Sequence, residues 1–220
     1  MSSKTKRRLK VYLPILASII IVVAIVAIIL LKDKITAKDY FDAVNTQNYS
    51  KQIQTTTITE NETLIYEKIE IMVFDGDNVY HQIKEKQLSQ DIGKDYDETT
   101  TEYYYSKDKI YYFELGEWKQ EDFNLKQSLK DYDLKTEYFK TINFSKKIET
   151  EGVLEGEIKQ DSISKIVSGL NLSKMNLKII VNKDIKIQKF NINAKTQSNR
   201  DVKIENVYTY NNETVVLPST

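Results

Sequence analysis

From Val11 to Leu31 the chain reads VYLPILASIIIVVAIVAIILL, an apolar run without a single charge. At ~1.5 Å of rise per residue, a helix of this length spans roughly 30 Å, the thickness of a bilayer's hydrocarbon core. Pro14 falls in the first turn of that helix, where a missing N–H costs little. Lys4, Lys6, Arg7, Arg8 and Lys10 precede the run with no acid among them, whereas Lys32, Lys34 and Lys38 behind it are diluted by Asp33 and Asp39. The positive-inside rule places the N-terminus in the cytoplasm and the remainder outside. A cleavable signal has a shorter apolar core, about 7–15 residues, ending in a small-x-small site. Here Ile28, Ile29, Leu30 and Leu31 lead straight into charge, so the run is expected to stay as an uncleaved signal anchor.

Behind the run the period changes twice. Ala37, Tyr40, Phe41 and Val44 follow i, i+3, i+4, i+7 spacing, with Thr36 as N-cap, and predict a short juxtamembrane helix within 32–48. From about Tyr49 alternation takes over. Leu64 to Phe74 sets Ile69, Ile71 and Val73 against charged neighbours, and Asp75-Gly76-Asp77-Asn78 is a hairpin turn returning through Val79 to Ile83. Further hairpins are expected at Tyr103–Leu115 around Ser106-Lys107-Asp108-Lys109, at Leu177–Ala194 around Asn182-Lys183-Asp184, and at Val202–Leu217 around Asn211-Asn212. The apolar phase slips between Ile187 and Phe190, which predicts a β-bulge near Gln188-Lys189. Two helices interrupt the strands, one from the capping box Asn124/Gln127 to about Ile142 and one behind Asp161. Ser89 to Thr101 reads as a polar loop. The domain map is thus a basic leader (1–10), a transmembrane helix (11–31), the juxtamembrane helix (32–48) and one extracytoplasmic domain (49–220).

Composition narrows the chemistry. The 220 residues include no Cys and one His, which removes disulfides, thiol nucleophiles, cysteine-ligated metals, a lipid-anchoring cysteine and any two-His metal site. Five of the 32 basic residues precede the span, leaving 27 against 32 acidic ones beyond it, a net charge of −5 without a basic cluster. Nucleic acid is therefore not an expected partner. No G-x-S-x-G elbow, P-loop or G-x-G-x-x-G is present, and His81 stands alone on a Tyr-rich strand. Asp75-Gly76-Asp77-Asn78 lacks the further ligands of a calcium loop and reads as a turn. The expectation is a protein that is not an enzyme and that needs no cofactor and no metal.

Aromatic residues stand out instead. Tyr103, Tyr104, Tyr105, Tyr111, Tyr112, Phe113 and Trp118 fall within sixteen positions. Such a run serves either a half-buried sheet or an aromatic wall beneath an apolar ligand or partner. The residues taken as lining a candidate apolar cavity are Tyr104, Tyr112, Phe113, Trp118, Leu129 and Phe139.

The order of these elements resembles the LolA-like, LppX-like lipoprotein-carrier superfamily. The likeness rests on the hairpin IEIMVFDGDNVYHQ (69–82), a second hairpin with a G-x-W end in IYYFELGEWKQED (110–122), a helical stretch, and a closing segment VYTYNNETVVLP (207–218). It covers Tyr49 to Pro218. The resemblance implies an α+β domain, a curved antiparallel half-barrel with helices on its concave side over an apolar cavity, in a family that carries or senses lipids. The chain departs from the carriers in having an anchor and no Arg in its early strands, so the fold and the cavity carry over and lipoprotein shuttling does not. A fainter resemblance, in Ala37-Lys38-Asp39-Tyr40-Phe41 leading to Asn48-Tyr49-Ser50, is to NTF2-like domains that follow a single span. The expected function is a membrane-anchored extracytoplasmic protein binding a lipid or other hydrophobic molecule. The alternative is an envelope accessory or sensor subunit that meets a protein partner.

Overall fold

A computed structural model describes Ile21 and residues 35–46, 49–90, 94–123, 134–167 and 170–219. The chain divides into two compact units, Met1–Thr36 and Ala37–Thr220. In the first, the expected transmembrane run lies outside the described residues except for Ile21, which is helical and exposed. Among the described residues no helix is long and apolar enough to cross a membrane.

The second unit is one open, curved sheet of eleven antiparallel strands with few helices. The strands are β1 (Lys51–Glu60), β2 (Thr63–Asp75), β3 (Asn78–Leu88), β4 (Tyr96–Ser106), β5 (Lys109–Glu114) and β6 (Glu117–Asp122), then β7 (Phe139–Phe144), β8 (Glu151–Ile158), β9 (Leu172–Asn182), β10 (Ile187–Thr196) and β11 (Asp201–Thr209). Their spatial order is β6-β5-β4-β3-β2-β1-β11-β10-β9-β8-β7. Two meanders, β1–β6 and β7–β11, are therefore joined where the first strand meets the last, from Lys51↔Thr209 to Thr59↔Asp201.

Directly paired residues of antiparallel strands share a face, so the register fixes which side chains lie together. On β8–β11 one face is packed: Leu154, Met175, Leu177, Ile179, Phe190, Ile192, Val202 and Ile204 are all buried. This inner face is covered by α1 (Ala37–Asn45), which packs on β9 and β10, and by α2 (Ile163–Ile166), which packs on β9. The expected spacing holds, since Ala37, Tyr40, Phe41 and Val44 are the buried stripe of α1, joined by Ala43. Phe41 stacks on Phe139 with ring centroids 5.5 Å apart, and the Tyr40 hydroxyl donates to the Ser145 carbonyl at 3.0 Å. The β10 bulge falls where the phase slip put it, between Ile187 and Lys189, so that Ile187 and Phe190 both point inward.

Three expectations are corrected. The helix drawn from Asn124 to Ile142 has its first ten residues outside the described set, but a 3₁₀ turn (Thr136–Tyr138) and then β7 occupy its end. Phe139, Thr141 and Phe144 pair with β8 there, and strand pairing overrides a helical period that long apolar side chains mimic equally well. The loop drawn over Ser89–Thr101 ends early, because β4 begins at Tyr96 and its Thr-rich stretch pairs rung by rung with β3. The fourth hairpin does not form. Residues 211–219 form no strand; β11 already has β1 and β10 as neighbours, and the tail leaves the sheet with the Val215 N–H donating to Asp75 at 3.1 Å.

Close packing against β8, by β7 at Gly156 and by α1 at Gly152, depends on the missing side chains there. A Cβ at Gly156 would sit 2.6 Å from the Thr141 carbonyl oxygen and against the Phe139 ring, and one at Gly152 would sit 2.7 Å from the Tyr40 hydroxyl. Gly156→Ala is expected to destabilise the domain by about 1–3 kcal/mol through overpacking, read as a lowered melting midpoint of the full-length protein.

Candidate functional site

The inner face does not stop at β11. Through the β11–β1–β2–β3–β4 register it continues as Tyr208, Asn206, Gln52, Gln54, Met72, Glu70, His81 and Tyr103. Across β1–β5, however, most of its residues are only half-buried, Val79 and Tyr105 excepted. Asn206 marks the change. It is fully buried, donates through Nδ2 to the Phe190 carbonyl at 2.9 Å and accepts from Gln52 Nε2 at 3.0 Å, so each end of its amide is matched.

Beyond it lies a charged cluster on the same face. Glu70 accepts from Gln54 Nε2 at 3.1 Å, lies 3.1 Å from Lys68 Nζ, and faces His81 Nε2 at 3.4 Å. The last contact is an ion-pair distance without hydrogen-bond alignment, and His81 Nε2 is buried with no hydrogen-bond partner. Burial alone would raise the Glu70 pKa, but His81 and Lys68 outweigh it and hold the carboxyl below its ordinary 4.5. Tyr66 donates to Glu85 at 2.6 Å, and burial together with that carboxylate pushes the phenol far up, keeping it protonated. At the other end of the strands the face is ring-lined. Tyr49 bridges Phe74 and Tyr208, at 5.4 and 4.7 Å, while Tyr105 contacts His81 and Phe123. Desolvation raises the Tyr105 pKa to about 12.

The opposite, outer face carries a separate aromatic row. Val73, Tyr80, Tyr104 and Tyr111 are paired rung to rung, with Tyr80 and Tyr104 centroids 5.0 Å apart. Trp118 meets both Tyr104 and Phe113 edge-on at 5.4 Å. Of the six residues read from sequence as one cavity, Tyr104, Phe113 and Trp118 therefore cluster on the outer face, and Tyr112 points to the inner face of the same hairpin, donating to Glu121. Phe139 is buried under α1, and Leu129 lies outside the described residues. Alternation signals that a Tyr-Tyr-Tyr run is split between faces, but not which face is inward. The residues that sequence reading missed are Asn206, Gln52, Gln54, Lys68 and Glu70, polar positions whose signal is their own inward phase.

Among the described residues, two open grooves of mixed lining flank the packed half. One of about 330 Å³ is lined by Asn143, Glu155, Asn176, Lys178 and Asn193, and the other, of about 270 Å³, by Asp39, Asp42, Asp184 and Lys186. Among the described residues no three His, Asp or Glu side chains gather into a metal site.

No protein-family model and no curated protein matches the chain. Among solved structures it is similar to LprF from Mycobacterium bovis, at 13% identity and a TM-score of 0.41, over 83% of this chain and 93% of that one. It is also similar to the LolA superfamily protein NE2245 from Nitrosomonas europaea, at 10% identity and a TM-score of 0.31, over 82% of this chain and 96% of that one.

Removing the Glu70 carboxylate takes away the group on which Gln54, Lys68 and His81 converge. Glu70→Ala is expected to cost about 3 kcal/mol at neutral pH, the scale of breaking a largely buried pair. A lowered native pKa contributes stability that is complete above 4.5 and is lost as pH falls through the native value. The gap between wild-type and variant melting midpoints should therefore narrow below pH 4.5, which a pH series of thermal melts will measure.

Proposed function

We propose that this protein is a membrane-anchored, extracytoplasmic, non-catalytic binding protein whose ligand is a lipid or another hydrophobic molecule. One observation carries the reading: the sheet face that is solid core from β8 to β11 runs on unbroken over β1–β5, where it is only half-buried and lined by Met72, Phe74, His81 and Tyr103. A protein interior closes the inner face of its sheet; a face that stays half-open over four or five strands has contact area left for a guest. Rings and a thioether offer that guest dispersion contacts without demanding one shape. The Lys68–Glu70–Gln54 cluster on the same face supplies polar partners for a ligand's head. Anchoring by the apolar run keeps this face close to a source of lipid, so loading requires no free diffusion.

Full-length protein purified from its own membranes in mild detergent is the material for the test. Native mass spectrometry should show a reproducible adduct that partitions into organic solvent. Met72→Asn, on the inner face, should remove the adduct, while Trp118→Ser, on the outer face, should leave it. A clean apo mass for the wild-type chain, with no melting shift across a lipid panel, would overturn the reading.

A further inference from the structure

The β5–β6 hairpin leaves the sheet before it ends. β5 pairs with β4 only from Ser106↔Lys109 to Tyr103↔Tyr112, whereas β5 and β6 stay paired out to Glu114↔Glu117. The last two rungs and the turn thus form a two-stranded finger beyond the β4–β5 ladder, its base held by Trp118 against Tyr104 of β4. Its side chains are unusual for such a place. Phe113 is 58% exposed and Leu115 is 91% exposed. Leu115 also has φ +55°, followed by Gly116 at φ +89°. Two positive φ values make a turn that favours Asn-Gly, and a Leu in the left-handed region costs about 1–2 kcal/mol. A bare Leu at that position is unfavourable in water twice over, in backbone and in hydration.

We infer that this finger docks on the surface of the bilayer in which the chain's own N-terminal run is anchored, with Leu115 and Phe113 entering the interfacial region and Trp118 at its edge. The inference rests on the anchoring proposed above and not on the ligand. Residues 32–36 separate the apolar run from α1, and five extended residues reach at most about 18 Å. A domain tethered so closely meets the bilayer at high effective concentration, so three apolar side chains are enough where free association would need many more. Phe, Trp and Leu are the residues that settle at such interfaces. Glu114 is paired with Lys119, while Glu117 leaves the tip acidic, which fits a neutral lipid surface and opposes an anionic one.

Trp118 is the protein's only tryptophan, so all tryptophan emission reports the finger. Full-length protein is reconstituted into phosphatidylcholine vesicles with or without bromine near the headgroup end of the acyl chains, and flotation verifies anchoring. Quenching of Trp118 by the brominated lipid is expected, weakened by added phosphatidylglycerol. Leu115→Asn should lower the docked-to-undocked ratio about tenfold without lowering the melting midpoint, because Asn tolerates the left-handed conformation. Met72→Asn, which removes an inner-face ligand, should leave the quenching intact. Flotation without quenching would overturn the docking and leave the anchoring in place, and it would assign the finger to a protein partner or to solvent. Failure to float would sink both. Quenching that survives Leu115→Asn, or that vanishes with Met72→Asn, would overturn the docking as well.

Discussion

The pairing of β1 with β11 is the constraint on which the rest of the domain depends. Every other strand pairs with its neighbour in sequence or, at β6 and β7, ends the sheet. Among the described strands only the β1–β11 ladder spans the domain, joining Lys51 to Thr209 across the whole of both meanders. Its loop-closure cost is that of more than one hundred residues, yet that cost rises only with the logarithm of length. What repays it is the row of inward side chains that the register lines up, with Val202, Ile204 and Tyr208 continuing the core built on β9 and β10. Asn206 sits within this ladder, and its two hydrogen bonds reach into both halves of the sheet. A one-residue slip would turn it outward and leave Gln52 and the Phe190 carbonyl without that partner.

The halves on either side of this ladder differ in how their alternation relates to the core, and this decides how much was legible in the sequence. On β9–β11 the apolar phase and the inward phase coincide, so the strands, the hairpin at Asn182–Asp184 and even the bulge at Ile187–Lys189 could be read from spacing. On β2 they do not. Ile69, Ile71 and Val73 form the apolar phase, but the register sends them outward and sends Lys68, Glu70, Met72 and Phe74 inward. A pattern rule assigns the apolar set to the core, and here the ladder overrules it. The candidate site was split for the same reason: Tyr104 and Tyr112 belong to opposite faces, and only the partner strand says which is which. The closing segment misled differently. Its alternation from Val202 to Thr209 is genuine, but no strand edge remained for residues 214–217.

Charge on the inner face of β1–β3 has a structural consequence of its own. Covering Glu70 and Lys68 with an apolar helix, as α1 covers Phe139, would remove them from water at a cost of several kcal/mol per ion that their mutual contact would not fully return. Packing therefore ends where the charges begin. The core of the C-terminal half is sealed because its inward positions are apolar without interruption, and the N-terminal half stays half-open because they are not. If the proposed ligand binds there, the openness that admits it follows from the same polar positions that would meet its head. Substituting them with apolar side chains would add apolar contact area and remove the obstacle to closure, so a more stable sheet would leave less of this face open.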